Sequence, residues 1–274
     1  MSNTLHLDIQ EEATRRFLEC LALCNTVVPA VGTDGQLEYQ ATSPDEDALV
    51  TGVAECGCRL VSRTPDKAVI RYEGAGPDDA CVDEVFEVLA VLEFSSDRKR
   101  MSTVCRSQAT GEVIVYCKGA DSVILERIAP AQEHLEATQR DLYTYARLGL
   151  RTLCVGRRVL AEEEWNEWAK EYKEASVSLE NRSEKVGACA ARLETNLELL
   201  GATAVEDKLQ EGVPETIDAL REAGIQVWML TGDKVGTAKN IATACNILPA
   251  TADTLELTTE THPVLGSLRV ADLL

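Results

Sequence analysis

Positive charge is scarce in this sequence. Its 274 residues hold 27 Lys and Arg against 46 Asp and Glu, a formal net charge of −19. Binding to a polyanion through bulk charge is disfavoured, so no nucleic-acid partner is expected. Long apolar runs are missing too. A membrane helix needs roughly 20 consecutive apolar residues. The best stretch, residues 17–31, carries Glu19 and Asn25 and is broken by Pro29. The first residues, Met1-Ser2-Asn3-Thr4-Leu5-His6, show no basic region leading into an apolar run, so no secretory signal is expected. Only three histidines occur, His6, His134 and His262, and they are far apart. No Cys-x-x-Cys pair exists, which removes the usual zinc spacings. Cys56 and Cys58 are the closest cysteine pair. Most of the ten cysteines read as small buried hydrophobes in a reducing compartment. A Walker loop, a dinucleotide glycine pattern and a Gly-x-Ser-x-Gly elbow are all absent.

What is present is a chain able to fold. Hydrophobic residues make up 45%, enough for a sizeable core. The length fits one large domain or two ordinary ones. Phe17, Leu21, Cys24 and Val28 recur at helical spacing and predict a helix over 11–28. A turn-rich stretch, 29–35, leads to a short strand at 37–40. Ser43-Pro44-Asp45-Glu46 is a helix start, with Ser43 as cap, Pro44 in the first turn and Glu46 closing a capping box. Strands are predicted at 67–73, 85–93, 101–106 and 112–117, joined by turns as antiparallel hairpins.

Helices follow over 122–148, then a strand at 152–158. An acidic helix at 162–173 carries Trp165 and Trp168 on one face. Residues 181–187 are polar and read as a loop, and 197–205 as an apolar strand. Beyond it the pattern changes to helix, buried strand at 226–230, turn and helix, a piece of a parallel α/β sheet. The last residues, 249–274, carry few signals beyond a short strand at 254–257. The fold class is therefore α+β: an antiparallel sheet flanked by helices, followed by a partial α/β segment.

Two features could carry chemistry. Between Phe94 and Lys118 lie Arg98, Lys99, Arg100, Arg106 and Lys118, against only Asp97 and Glu112. This basic island reads either as the site of an anionic ligand or as a solvated strand face. Phe94 at its edge reads either as a ring that stacks a base beside cations or as ordinary core. The second feature is Thr231-Gly232-Asp233-Lys234, at the carboxyl end of the expected buried strand. That position suits a phosphate at the next helix start, with Asp233 beside a divalent metal. It suits a plain capped turn equally well.

Several segments together resemble a known family. They are the run from Phe94 through Asp97, Arg98, Lys99 and Arg100 to Ser102; Lys118-Gly119-Ala120-Asp121; and Gly149-Leu150-Arg151-Thr152-Leu153. Two more are Glu206-Asp207-Lys208-Leu209-Gln210 and Leu230-Thr231-Gly232-Asp233-Lys234. In this order they resemble the nucleotide-binding domain of P-type ATPases. Ser43-Pro44-Asp45-Glu46 and the Asp97-Arg98-Lys99-Arg100 run resemble the phospholipid-flippase branch. The resemblance implies a nucleotide-binding domain over 1–206. It also implies a partial phosphorylation domain, haloacid-dehalogenase-like, over 207–274.

The resemblance also implies roles. Phe94 would stack on adenine, Lys118 would line the pocket near the base, and Glu46 would sit near the adenine amino group. Lys99 would lie beside the pocket and Arg151 would reach the phosphates. Thr231, Gly232 and Asp233 would approach the terminal phosphate and its Mg²⁺, and Asp207 would mark a hinge. ATP and Mg²⁺ are thus the implied ligands. The implied setting is the cytosolic face of a membrane, with membrane and actuator parts, a phospholipid substrate and an accessory subunit belonging to an intact pump. The family's phosphorylated Asp-Lys-Thr-Gly-Thr motif does not occur in this chain, so binding without turnover is expected of the chain itself. The alternative is an interaction domain that keeps the fold without using nucleotide.

Overall fold

The computed structural model describes residues 11–33, 35–73, 80–206, 209–231, 235–249, 251 and 254. In chain order the elements are α1 (Glu12–Leu23), β1 (Val28–Val31), β2 (Leu37–Gln40), α2 (Pro44–Glu55), β3 (Cys58–Thr64), β4 (Lys67–Tyr72) and β5 (Val82–Ser95). Next come β6 (Arg100–Ser107), β7 (Val113–Gly119), α3 (Asp121–Ile124), α4 (Leu135–Arg147), β8 (Arg151–Leu160), α5 (Glu162–Ser176) and α6 (Arg182–Leu193). β9 (Glu198–Val205), α7 (Val213–Glu222) and α8 (Val235–Ala244) complete the described elements. The chain divides into two compact units, residues 1–206 and 207–274.

The first unit is built on a seven-stranded sheet in the order β3-β4-β5-β6-β7-β8-β9. Every neighbouring pair is antiparallel. β1 and β2 form a separate two-stranded ladder. Alternation along each strand decides which helices cover which face. Phe86, Met101, Cys105, Ile114 and Tyr116 pack with Leu18, Leu21 and Leu23 of α1 and Val50 and Val53 of α2. Leu92, Val104, Val113 and Val115 pack with Trp165, Trp168, Ala190 and Leu193 of α5 and α6.

On that second face Trp165 and Trp168 stack at 5.5 Å, and the Trp168 indole N–H donates to the Cys189 carbonyl at 2.8 Å. Burial of each such side chain contributes about 1.5–3 kcal/mol, which holds the two helices on the sheet. Seven cysteines are buried, among them Cys20, Cys24 and Cys117, and burial raises the pKa of each of those three thiols. They serve as small apolar side chains.

Four local readings change. The first helix stops at Leu23 because Asn25 turns back, its amide donating to the Leu21 and Ala22 carbonyls at 2.7 and 2.9 Å. Arg63 reaches the Leu23 carbonyl at 2.8 Å, so the buried helix end is satisfied and its dipole is met by a cation. The stretch read as a turn holds β1, since Pro29 tolerates a two-stranded ladder. Residues 181–187 open helix α6 instead of forming a loop: the polar residues lie exposed in its first turns, while Ala190 and Leu193 are buried further along.

The fourth change lies in the second unit. Residues 226–230 adopt no strand, and Trp228 and Leu230 are 68% and 92% exposed. A continuous apolar run makes a strand only where a neighbour supplies the ladder, and no described strand pairs with this one. α7 and the end of α8 are joined by Arg221 donating to the Asn246 carbonyl and by the Asn246 amide donating to Asp218. No helix among the described residues is long and apolar enough to cross a membrane.

Candidate functional site at one end of the sheet

Antiparallel pairing gathers residues that are distant in sequence. Ser95 pairs with Arg100, Arg100 with Gly119, Gly119 with Cys154, and Arg151 with Val205. Phe94, Lys99, Lys118 and Arg151 therefore all stand at one end of the sheet, on neighbouring strands. α2 brings its N-terminus to the same end. Lys118 Nζ lies 2.7 Å from Glu46 Oε1 and is almost buried. Arg151 Nη1 lies 3.3 Å from Asp45 Oδ2, with both side chains about 40% exposed. Two successive acids of α2 thus hold two of the expected cations.

Glu46 closes no capping box. Ser43 makes no side-chain cap bond, and the Glu46 carboxylate instead accepts from the Thr26 backbone N–H at 2.9 Å and hydroxyl at 2.6 Å. Burial alone would raise its pKa. The Lys118 charge and the hydrogen bonds from Lys118 and Thr26 outweigh burial and hold it below its ordinary value. The Glu46–Lys118 pair is thus largely shielded, whereas Asp45–Arg151 is long, wet and weak.

Phe94 is placed by an irregularity. Between the pairs Leu92–Ser102 and Ser95–Arg100, β5 has two residues, Glu93 and Phe94, where β6 has only Met101. This bulge frees Phe94 from the regular alternation, and the ring is 63% exposed. A large aromatic left in solvent beside cations suits a planar ligand more than a core role. It borders a cleft of about 510 Å³ shared with Val91, Arg98, Tyr172 and Val186. Lys99 occupies the hairpin tip with φ +51 and is exposed, and its carbonyl accepts from the Ala120 N–H at 3.0 Å.

Gly119 has a steric reason. A Cβ there would meet Arg100 Cβ at 2.5 Å and the Lys99 carbonyl oxygen at 2.6 Å. Only glycine lets the strand bearing Lys118 approach the hairpin bearing Lys99 this closely.

The three arginines of the basic island are spent on partners within the protein. Arg98 and Arg100 both bind the carboxylate of Glu194, which is fully buried at the C-cap of α6. Arg106 pairs with Glu162 through both terminal nitrogens, at 2.8 and 3.0 Å. Glu194 was invisible in the sequence, since it follows a segment read as a loop. Asp45 and Thr26 were equally missed, Asp45 because it reads as a first-turn acid. Thr231 is exposed in the second unit. Asp207, Gly232 and Asp233 lie outside the described residues.

A family profile described as "P-type ATPase, cytoplasmic domain N" matches residues 13–212. The chain belongs to that family. It is 46% identical over 247 residues to "Phospholipid-transporting ATPase DRS2" of Saccharomyces cerevisiae, covering 90% of this chain and 18% of the yeast protein. It is 43% identical over 252 residues to "Phospholipid-transporting ATPase DNF1" of Chaetomium thermophilum, covering 90% of this chain and 16% of that protein. Against human "Phospholipid-transporting ATPase VB" it is 46% identical over 242 residues, covering 84% of this chain and 16% of the relative. The chain therefore spans under a fifth of the length of these three relatives. The N-domain match contains the whole sheet and every described candidate residue except Thr231.

Proposed function

We propose that this chain is the ATP-binding cytoplasmic module of a phospholipid-translocating P-type ATPase. The observation that carries the reading is that Phe94, Lys99, Lys118, Arg151 and Glu46 stand at one sheet end, with Glu46 and Lys118 in contact and Phe94 bordering a separate cleft, within a chain of the N-domain family. Phe94 offers an exposed ring for adenine stacking. Glu46, kept ionised by Lys118 and Thr26, presents an acceptor for an exocyclic amino group. Arg151, half-exposed at the same sheet end, offers a guanidinium for phosphate oxygens, to which a bidentate bond is strong. Mg²⁺ would arrive with the phosphates and screen their charge.

The residues fit nucleotide binding and do not by themselves supply phosphoryl transfer. Transfer needs a nucleophile held in line with the γ-phosphate, and the sequence has no Asp-Lys-Thr-Gly-Thr motif. In the intact pump the module would present ATP to an aspartate outside this chain, driving lipid movement. The lipid, the actuator part and any accessory subunit belong to that larger protein. Residues 207–274 are proposed as part of its phosphorylation domain, with Asp207 near the hinge and Thr231, Gly232 and Asp233 toward the terminal phosphate. The proposed location is the cytosolic side of the membrane.

Calorimetric titration with Mg-ATP tests the reading. Phe94→Ala removes stacking worth about 1–3 kcal/mol and should weaken binding by roughly 5- to 150-fold with the fold intact. Lys118→Gln should weaken it as well while keeping a donor to Glu46. A folded chain that binds no ATP at millimolar concentration overturns the proposal in favour of an interaction domain.

A further inference from the structure

A charge buried as Glu194 is buried needs a reason. It is fully inaccessible and stands at the negative end of helix α6, where the helix dipole disfavours a carboxylate. Its cost is met by three donors from one hairpin. Arg98 Nη2 and Ser102 Oγ donate to Oε1, the latter at 2.5 Å, and Arg100 Nε donates to Oε2 at 2.5 Å. A buried ion pair of this kind is poor evidence for stability, since a packed apolar group often does as well. What it does supply is fixed geometry.

The geometry leads to the bulge. Arg98 Nη1 donates to the Glu93 carbonyl at 2.7 Å, one of the two bulged residues. Arg100 Nη1 donates to the Arg98 carbonyl at 2.9 Å, and the Arg98 N–H donates to Ser95 Oγ at 3.3 Å. One unbroken path of hydrogen bonds therefore runs from the Glu194 carboxylate through Arg98 to the backbone that carries Phe94.

We propose that Glu194 is a positioning residue for base recognition: acting through Arg98 and Arg100, it fixes the β5–β6 hairpin and its bulge, and so the Phe94 ring. The basic run of this hairpin then serves to shape the site, with Lys99 alone left exposed toward a ligand. This rests on the nucleotide reading above, and the test separates the two.

The test is a double-mutant cycle on Mg-ATP affinity, read by NMR titration, with Arg98→Gln and Phe94→Ala singly and together. Arg98→Gln keeps the Arg100–Glu194 pair, so the fold survives. It should weaken ATP by about tenfold in the parent chain, the usual scale for a supporting partner. In the Phe94→Ala background it should change affinity by less than about twofold, because the ring it positions is gone. Glu194→Gln, where it folds, should behave like Arg98→Gln. Additive effects, or an unchanged affinity for Arg98→Gln, overturn the positioning role while leaving the nucleotide site standing. Absence of ATP binding by the parent chain overturns the nucleotide reading and this proposal with it.

Discussion

Two apolar runs of similar character meet different fates in this molecule. Residues 197–205 become β9, pairing with β8 along its length and burying Leu199. Residues 226–230 are just as strand-like in composition, yet remain unpaired with Trp228 and Leu230 in solvent. The same contrast separates the two units. The first has helices on both faces of a continuous sheet and a core on each face. In the second, α7 buries no residue at all, and Thr237, Ala242 and Cys245 are the buried residues among those described. An apolar run is a strand only when a ladder partner satisfies its backbone groups.

Hydrogen exchange gives the largest expected contrast. Amides of β6, β7 and β8 should be protected at least about a thousandfold more than those of residues 209–249, since only the first set requires sheet opening. Equal protection in both units would break the comparison.

Mutational stability comes next. Glu194→Ala leaves Arg98 and Arg100 uncompensated and should cost about 3–5 kcal/mol in urea unfolding. Leu230→Ala removes an exposed side chain and should stay within about 0.5 kcal/mol. Similar losses at both positions would refute the assignment of the core to the first unit.

A smaller pair tests packing within that unit. Gly119→Ala must push apart the Lys118 strand and the hairpin, at about 1–3 kcal/mol. Gly52→Ala lies within α2 with open space around it, and should stabilise by about 0.5–1 kcal/mol. Thermal melts of the two variants should move in opposite directions.

The smallest effect is the pH dependence of Glu46. Its pKa is lowered in the folded chain, so its contribution is complete above its ordinary value of 4.5 and fades as pH falls through the lower folded value. Unfolding of the parent chain and of Glu46→Gln should differ most near neutrality and converge in acid. A gap that widens on acidification would contradict the pairing with Lys118.

Much of the sheet was legible before the structure because six of its seven strands alternate or run apolar between turn residues. Strand β3 was missed since Arg59, Ser62 and Arg63 interrupt it. Arg63 is spent on capping α1, a tertiary role that leaves no local pattern. Helix α6 was missed because its opening residues are its polar, exposed turns. For the site, Phe94, Lys99, Lys118, Arg151 and Glu46 could be named from motifs, but their partners could not. Asp45, Thr26 and Glu194 act across 106, 20 and about 95 residues of chain, and only the register of the sheet brings such positions together.

ATP binding at the end of the sheet shared by β5, β6, β7 and β8 is the proposal on which the rest depends. Backbone amide shift mapping with Mg-ATP tests it directly. Shifts should centre on residues 94–99, 118–120, Glu46 and Arg151, with none around Glu84 and Ser107 at the opposite end. Shifts centred on that opposite end or on residues 226–230, or none at all, would contradict it.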